Sequence, residues 1–315
     1  MKTRVFINGF GRIGRCAARI VQDDERFELV GVNDIYDTKQ MIQLYENDTI
    51  YGKSKTSLDG VKLFCEKTPP HIECDVLLQC SGIHLSFEAN QPYINNGAKK
   101  VIISAPASSE VPTYIYGINH KDYKNEKIIS NSSCSANAIV PIFSIIQKNF
   151  GIKSAQLSMY HSYTAYQKLL DVKHYSKDMR RSRSATQNII PLMSSAADAT
   201  SKFFPHLAGK IYAKSIRVPV SATTFYDLSM YMDNKTTQSH IKEVLEKEIK
   251  ESSILDITNK PLVSTDFIQS PYSATVDLNF TALVEGNLLR VCAWQDNEYG
   301  YAKRLVELAG VVTTP

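Results

Sequence analysis

The chain has 315 residues, 43% of them hydrophobic and 22% charged, which is enough apolar content for one large core or two smaller ones; a globular protein of two domains is expected, not a disordered one. Its 36 basic residues against 32 acidic ones leave a net charge of +4, too even for a nucleic-acid binder recognised by charge alone, and equally suited to anionic small ligands. No apolar run approaches the ~18 residues of a membrane span, and the start MKTRVFINGF enters a strand in place of a signal peptide, so a cytoplasmic location is expected.

The first third alternates β-branched runs with helical stretches: Val5 to Ile7, Glu28 to Val32, Asp75 to Cys80 and Lys100 to Ser104. Such alternation predicts βαβ units and a parallel sheet. The helix after the first run places Ile13, Ala17, Ile20 and Val21 on one face, the spacing needed to pack on that sheet. Beyond Cys134 the strands become longer and more alternating, and in SAQLSMYH the residues Ala155, Leu157, Met159 and His161 share a face. A stretch rich in Lys and Arg between His161 and Pro191 is too long for an ordinary connection. Further strands are expected over Ser215 to Val218, Thr223 to Tyr231 and Leu288 to Trp294, with helices over Gln238 to Lys250 and in the closing NEYGYAKRLVEL, where Tyr301, Leu305 and Leu308 share one side. The change of pattern puts a domain boundary near Ser133.

The first strand runs into N-G-F-G-R-I-G-R, with Gly9, Gly11 and Gly14 in G-x-G-x-x-G spacing at a strand-to-helix turn. Gly9 permits the tight turn, Gly11 lets a pyrophosphate approach the backbone, and Gly14 lets the helix sit close to the sheet. The helix N-terminus adds unpaired N–H groups and a partial positive charge for the anion. Asp34, twenty residues beyond Gly14 at the end of a second strand, is placed to accept both hydroxyls of an adenosine ribose and to repel a 2′-phosphate, so the pattern favours NAD over NADP. The plain alternatives are a glycine-rich turn and a surface carboxylate.

The six cysteines show no C-x-x-C spacing, so neither a disulfide framework nor a zinc ligand set is expected. Five of them read as small buried hydrophobes. Cys134 differs, because Ser132, Ser133, Ser135 and Asn137 surround it and it begins a predicted helix whose N–H groups can stabilise a thiolate. His161 ends an alternating strand before the polar loop and is a candidate base that forms an ion pair with the thiolate. On residue chemistry alone His71, His84, His120, His174, His206 and His240 remain alternatives to it.

Taken together, N-G-F-G-R-I-G-R, S-N-S-S-C-S-A-N, H-S-Y-T (from His161), R-R-S-R-S-A (from Arg180), I-R-V-P (from Ile216) and W-Q-D-N-E-Y-G-Y (from Trp294) occur in one order and span about Arg4 to Leu308. That set resembles the phosphorylating glyceraldehyde-3-phosphate dehydrogenases. The resemblance implies an α/β fold: a Rossmann-type parallel-sheet NAD-binding domain over 1–133, completed by a C-terminal helix over 298–315, and an α+β catalytic domain over 134–297 with a mostly antiparallel sheet. It implies Cys134 as nucleophile and His161 as base, acting on glyceraldehyde 3-phosphate and inorganic phosphate to give 1,3-bisphosphoglycerate, a step of glycolysis or gluconeogenesis. By motif match, Thr164 and Arg217 hold the substrate phosphate, while Ser133, Ser135, Arg181, Ser194 and Ser195 surround the attacking phosphate. Arg12 and Ile13 match the pyrophosphate turn, Asp34 the ribose site, Ser104 the lip near the nicotinamide, Asn297 the carboxamide contact, Lys67 the basic residue beside adenine, and Tyr301 the cover over the nicotinamide. A homotetramer is implied as well.

The chain departs from the family's pattern in places. The usual S-C-T-T-N-C reads S-C-S-A-N-A, so Ser135 keeps one hydroxyl and Ala136 loses another. Ser194-Ser195 replaces Thr-Gly, which bears on how the second phosphate is held. Val172 and Lys173 occupy positions where NAD-specific members of the family often carry a proline, and Lys173 could tolerate the extra phosphate of NADP; the fixed carboxylate of Asp34 should outweigh it. The rival functions are an erythrose-4-phosphate dehydrogenase of the same family and a non-catalytic NAD-binding protein.

Overall fold

A computed structural model describes residues 1–314; position 315, the last of the expected closing helix, lies outside the described residues. In chain order the elements are β1 (Thr3–Asn8), α1 (Arg12–Asp23), β2 (Phe27–Asn33), α2 (Thr38–Glu46), β3 (Asn47–Asp48), β4 (Gly52–Lys53), β5 (Lys62–Phe64), β6 (Cys74–Gln79), α3 (Phe87–Asn95), β7 (Ala98–Ile103) and β8 (Ile128–Ser130). There follow α4 (Cys134–Phe150), β9 (Ile152–Ser162), β10 (Ile190–Met193), α5 (Ala196–Ser201), β11 (Ile211–Val218), β12 (Thr224–Met232), α6 (Gln238–Lys250), β13 (Leu255–Thr258), β14 (Ala274–Val284), β15 (Leu288–Gln295) and α7 (Tyr299–Thr313). None of the described helices is long and apolar enough to cross a membrane.

Two compact units emerge. One comprises Met1–Asn137 with the chain from Glu298 onward, the other Ala138–Asn297. The first is built on a sheet in the order β5-β2-β1-β6-β7-β8, with every neighbouring pair parallel. Its strands are short and nearly all buried, as a sheet covered on both faces requires. Helix α1 buries Cys16, Ala17, Ala18, Ile20 and Val21. Ile13, expected on that face, is only half-buried. Helix α7 packs against α1, β6 and β7 through Tyr301, Leu305 and Leu308, all buried, so the last helix closes the core begun by the first strand.

The second unit is a mixed sheet in the order β10-β11-β9-β12-β15-β14-β13. It is mostly antiparallel, as the resemblance implies, with β11–β9 and β13–β14 parallel. In β9 the residues Ala155, Leu157, Met159 and His161 are buried while Lys153, Gln156 and Tyr160 face out, so the expected alternation holds. Helix α6 spans Gln238–Lys250 as expected; Thr237 caps it by accepting from the His240 N–H, and Ile241, Leu245 and Ile249 bury one stripe. The stretch from His161 to Pro191 is mainly loop, with one tight turn at Met179–Ser182 that packs beside β10.

The glycine turn fixes where α1 starts. Gly9 has φ +94°, and a Cβ there would lie 2.3 Å from the Ser81 nitrogen; a Cβ on Gly14 would lie 2.1 Å from the Gly9 carbonyl oxygen. Helix and strand therefore touch backbone to backbone. Gly14→Ala should destabilise the protein by about 3 kcal/mol or more, the cost of an overlap that only backbone movement relieves. A urea midpoint equal to the parent's would show that α1 can shift at no cost.

Candidate active site

In the first unit the strand ends converge. β1, β2, β6, β7 and β8 run parallel, so Gly9, Asp34, Cys80, Ser104 and the turn before Cys134 all follow the carboxyl ends of the sheet. The chain turns from one side of β1 to the other between β1 and β6, and such a reversal opens a crevice for ligands. The Gly9–Ser81 approach lies at that point.

Below it runs a buried amide layer that sequence reasoning missed. Asn8 donates to the Gln79 side-chain oxygen (2.7 Å) and to the Tyr93 hydroxyl (2.9 Å), and Asn33 donates to the Asn8 oxygen (2.8 Å). Such amides stay buried only when paired, and the pairing locks three strand ends together. Polar residues closing otherwise apolar strands were the available signal.

Asp34 is anchored by its backbone partners. One carboxylate oxygen accepts from the Phe10 N–H (2.5 Å) and the other from the Ile35 N–H (2.7 Å), so the group stands at the glycine turn with lone pairs to spare. Arg12 opens α1, but its side chain points to carboxylates: Glu298 takes its Nε (2.9 and 3.1 Å) and Nη2 (2.6 Å), and Nη1 pairs with Asp48. Burial opposes the guanidinium charge, yet Glu298 and Asp48 outweigh it and hold the pKa above the ordinary value. Arg12 therefore offers an anion its backbone N–H, while its side chain ties α1 to the start of α7. Glu298, within the closing motif, was not singled out from the sequence. Lys67 is exposed in the segment after β5, next to Glu66, whose backbone exchanges hydrogen bonds with Asn33. Ser104 donates to the Gln79 carbonyl through its hydroxyl (3.0 Å).

Cys134 is the first residue of α4 and is partly exposed. Ser133 caps the helix, its hydroxyl accepting from the Ala136 N–H (3.1 Å) and its carbonyl from the Asn137 N–H (3.0 Å). Ser132 holds a left-handed φ of +58°, uncommon for a residue with a Cβ and a form of backbone strain met at functional turns. Tyr301 supports this turn: its hydroxyl, fully buried, donates to the Ser132 carbonyl (2.9 Å). A thiol at a capped helix N-terminus feels the N–H groups and dipole that favour a thiolate. Desolvation acts the other way on Cys74 and Cys80, both pushed up to about 12, and on Cys292, pushed up to about 11.

In the second unit β9 lies between β11 and β12, and the register sets Arg217 on one side of His161 and Thr224 on the other. His161 is buried. Its Nδ1 lies 2.7 Å from the Ser162 carbonyl oxygen and 2.7 Å from Arg217 Nη1, which itself donates to that oxygen at 2.9 Å. Burial first, and then the charge of Arg217, lower the His161 pKa to about 3, so the ring is neutral.

Ser162, missed in the sequence, is the centre of this cluster. Its N–H donates to the Thr223 carbonyl (3.1 Å), and its hydroxyl donates to the Asn297 side-chain oxygen (3.1 Å). Thr223 holds φ +74°, a genuine outlier for a β-branched residue. Thr164 donates through N–H and hydroxyl to the Gln167 side-chain oxygen, both at 2.9 Å, so Gln167 is a second unforeseen partner. In the basic loop Arg180 pairs with Asp178 and Arg183 with Asp171, whereas Arg181 lies over the Tyr166 ring, 5.3 Å from its centroid. Two of the three arginines thus belong to the loop's own structure. Ser194 and Ser195 lie between β10 and α5, with the Ser194 hydroxyl accepting from the Ala196 N–H (3.1 Å). Lys173 is exposed. Among the described residues no group of three or more His, Cys, Asp and Glu could hold a metal ion.

Residues 133–297 match the family model for the C-terminal domain of glyceraldehyde 3-phosphate dehydrogenase, and residues 3–86 match its NAD binding domain. The chain belongs to the glyceraldehyde 3-phosphate dehydrogenase family. It is 38% identical to the glyceraldehyde-3-phosphate dehydrogenase of Zymomonas mobilis, with 98% of each chain covered, and 37% identical to that of Helicobacter pylori over 97% of this chain and 98% of the relative. Glyceraldehyde-3-phosphate dehydrogenase 1 of Bacillus cereus is 34% identical, with 99% of each covered. As a member of this family the chain is an NAD-dependent dehydrogenase.

The residues present fit that cofactor. A Cβ added to Gly11 would meet nothing within 4 Å, so the turn is open on the side where a phosphate would meet the α1 N-terminus, whereas the packed sides at Gly9 and Gly14 are closed. Asp34 stands at the same turn, fixed through Phe10.

The neutral His161 has a consequence for stability. In the unfolded chain its ring titrates near the ordinary 6.5, in the folded one near 3, so the unfolded state takes up a proton first as the pH falls. The contribution is complete above about pH 6.5 and is lost progressively as the pH approaches 3. His161→Gln should therefore flatten the fall in Tm on acidification across that window. A parallel fall in parent and variant would show that the buried ring is not kept neutral.

Proposed function

We propose that the protein oxidises D-glyceraldehyde 3-phosphate and phosphorylates the product to 1,3-bisphosphoglycerate, with Cys134 as nucleophile and His161 as acid–base. The observation that carries this reading is Cys134 at the capped first position of α4, in a chain akin over nearly its whole length to enzymes of that name. His161 takes the proton of the Cys134 thiol as the sulfur attacks the aldehyde carbon and passes that proton to the carbonyl oxygen, giving a thiohemiacetal. Loss of that hydroxyl proton back to His161, with departure of hydride from carbon, leaves a thioester. Bound NAD supplies the hydride acceptor. An oxygen of inorganic phosphate then attacks the thioester carbon, the C–S bond breaks, and the acyl phosphate leaves with Cys134 as thiolate. Backbone N–H groups at the α4 N-terminus are suited to stabilise the developing negative charge.

Thr164 and Arg217 are assigned to the substrate phosphate, and Ser133, Ser135, Arg181, Ser194 and Ser195 to the attacking phosphate. Arg181 is the strongest of the loop cations for that task, since its neighbours already hold carboxylates. Gly9, Gly11, Arg12, Ile13, Gly14, Asp34, Lys67, Ser104, Asn297 and Tyr301 are assigned to NAD, with Arg12 acting through its backbone and Tyr301 also supporting the Cys134 turn. On this reading 1–133 with 298–315 is the NAD-binding domain, 134–297 the catalytic domain, and the enzyme a cytoplasmic homotetramer serving glycolysis or gluconeogenesis. Exposed Tyr160, Tyr212, Tyr231, Phe280 and Leu288 on the second sheet supply apolar surface for such assembly.

Cys134→Ser should lower kcat by about a thousandfold or more, because a hydroxyl lacks the nucleophilicity of a thiolate and cannot store the acyl group as a thioester. Iodoacetate should label Cys134 in proportion to lost activity. Turnover that survives in Cys134→Ser refutes the mechanism, and NAD reduction that does not accelerate on adding phosphate refutes the phosphorylating step. Asp34→Asn keeps the side chain's shape and removes its charge, so the ratio of kcat/KM for NAD over NADP should fall about tenfold, equivalent to ~1.4 kcal/mol. An unchanged ratio would move cofactor selection away from Asp34.

A further inference from the structure

The three arginines of the basic loop are held in two different ways. Arg180 donates through Nε and Nη2 to the two carboxylate oxygens of Asp178 (2.8 and 2.9 Å), and Arg183 donates through Nε to Asp171 (2.7 Å). A guanidinium paired in this way has committed its charge and part of its planar fork, and a phosphate must displace the carboxylate to bind there. Arg181, between them, forms no such ion pair among the described residues; it lies half-buried over the Tyr166 ring, 5.3 Å from the centroid. An aromatic ring takes the face of a guanidinium and leaves its charge and the N–H donors along its edge for an anion.

The ring is itself fixed. It meets His174 edge to face, with centroids 4.5 Å apart and planes at 79°. His174 is buried, and its Nδ1 accepts from the Ser176 N–H (2.9 Å), which orients the imidazole. The Tyr166 backbone belongs to a closed turn, in which the Gln167 N–H donates to the Thr164 carbonyl (2.9 Å) and the Gln167 side-chain oxygen accepts from Thr164. Tyr166 is 52% exposed, so core packing does not account for an aromatic ring at this place.

We propose that Tyr166 is a positioning residue for Arg181, its ring holding the guanidinium ordered and unneutralised so that inorganic phosphate meets a preformed donor fork. The proposal rests on the reading that places the attacking phosphate at Arg181. A long side chain ordered only when the ligand arrives lowers affinity, and a ring that orders it beforehand removes that loss. The device acts on one anion: Thr164, assigned to the substrate phosphate, is held by Gln167 and does not use the ring.

The test uses the full-length protein with NAD bound and inorganic phosphate as the probe. Its Kd is read by 31P NMR without turnover, and its KM and kcat from NAD reduction at saturating glyceraldehyde 3-phosphate. Tyr166→Leu should raise Kd and KM for phosphate about two- to tenfold, the loss expected from ordering one such side chain, with kcat and the KM for glyceraldehyde 3-phosphate unchanged. Tyr166→Phe keeps the ring and should behave as the parent does. Arg181→Gln should weaken phosphate binding, and adding Tyr166→Leu to it should weaken it no further, since the ring then has no cation to hold. Parent-like phosphate binding in Tyr166→Leu or in Arg181→Gln overturns the proposal. So does an equal loss in Tyr166→Phe, a matching rise in the KM for glyceraldehyde 3-phosphate, or losses that add in the double variant. Coupling of the two positions in a protein whose NAD reduction ignores phosphate sinks the phosphorylating reading alone. Phosphate-dependent NAD reduction without that coupling sinks the Tyr166 proposal alone.

Discussion

The first unit depends on one close approach: at Gly9 and Gly14 the first strand, the first helix and the chain after β6 meet backbone to backbone, where no Cβ fits. Because α1 is seated so low, its N-terminus opens over the carboxyl ends of the sheet and the Phe10 N–H reaches Asp34. The same seating brings Arg12 to Glu298, so the glycine turn and the last helix are joined by a half-buried ion pair. That helix in turn supplies Tyr301 to the Ser132 carbonyl, beneath the turn that carries Cys134. A constraint on two glycines thus passes, through an ion pair and a buried hydroxyl, to the position of Cys134.

The second unit follows a different economy. His161 is buried on a central strand, and the parallel neighbour β11 sets Arg217 against it. Desolvation and a like charge both act against protonation, which leaves a neutral ring. A side chain held rigidly by strand register gains precision, and its basicity becomes dependent on where a neighbouring cation goes. The strained Thr223 contributes to that rigidity, since its carbonyl fixes Ser162 and Ser162 in turn orients both the ring and Asn297.

The second sheet also carries Tyr160, Phe225, Trp294 and Phe280 as a connected aromatic group, with Phe225 4.5 Å from Trp294 and 6.3 Å from Phe280. The neighbouring Arg290–Asp227 pair shows that the face is patterned, with apolar rings and a charged pair side by side. Such a surface differs from the solvated face of α6, where only the buried stripe is apolar.

What the sequence determined by itself was everything encoded locally. The glycine spacing, the strand alternation in β9, the stripe of α6 and the polar surroundings of Cys134 are properties of consecutive residues, and each lies in the structure where periodicity puts it. The short strands β5 and β8 escaped because three residues carry no period, whereas β14 was passed over although Thr275, Asp277, Asn279 and Thr281 alternate with apolar neighbours. Arg12 opens α1 just after the glycine turn, yet the target of its side chain lies 286 residues away and no local pattern could name it. The state of His161 was decided only by tertiary structure. Its charge depends on burial and on Arg217, 56 residues distant and brought alongside by the pairing of β9 with β11. Residue type sets what a group can do, and the neighbours assembled by the fold set which of those states it occupies.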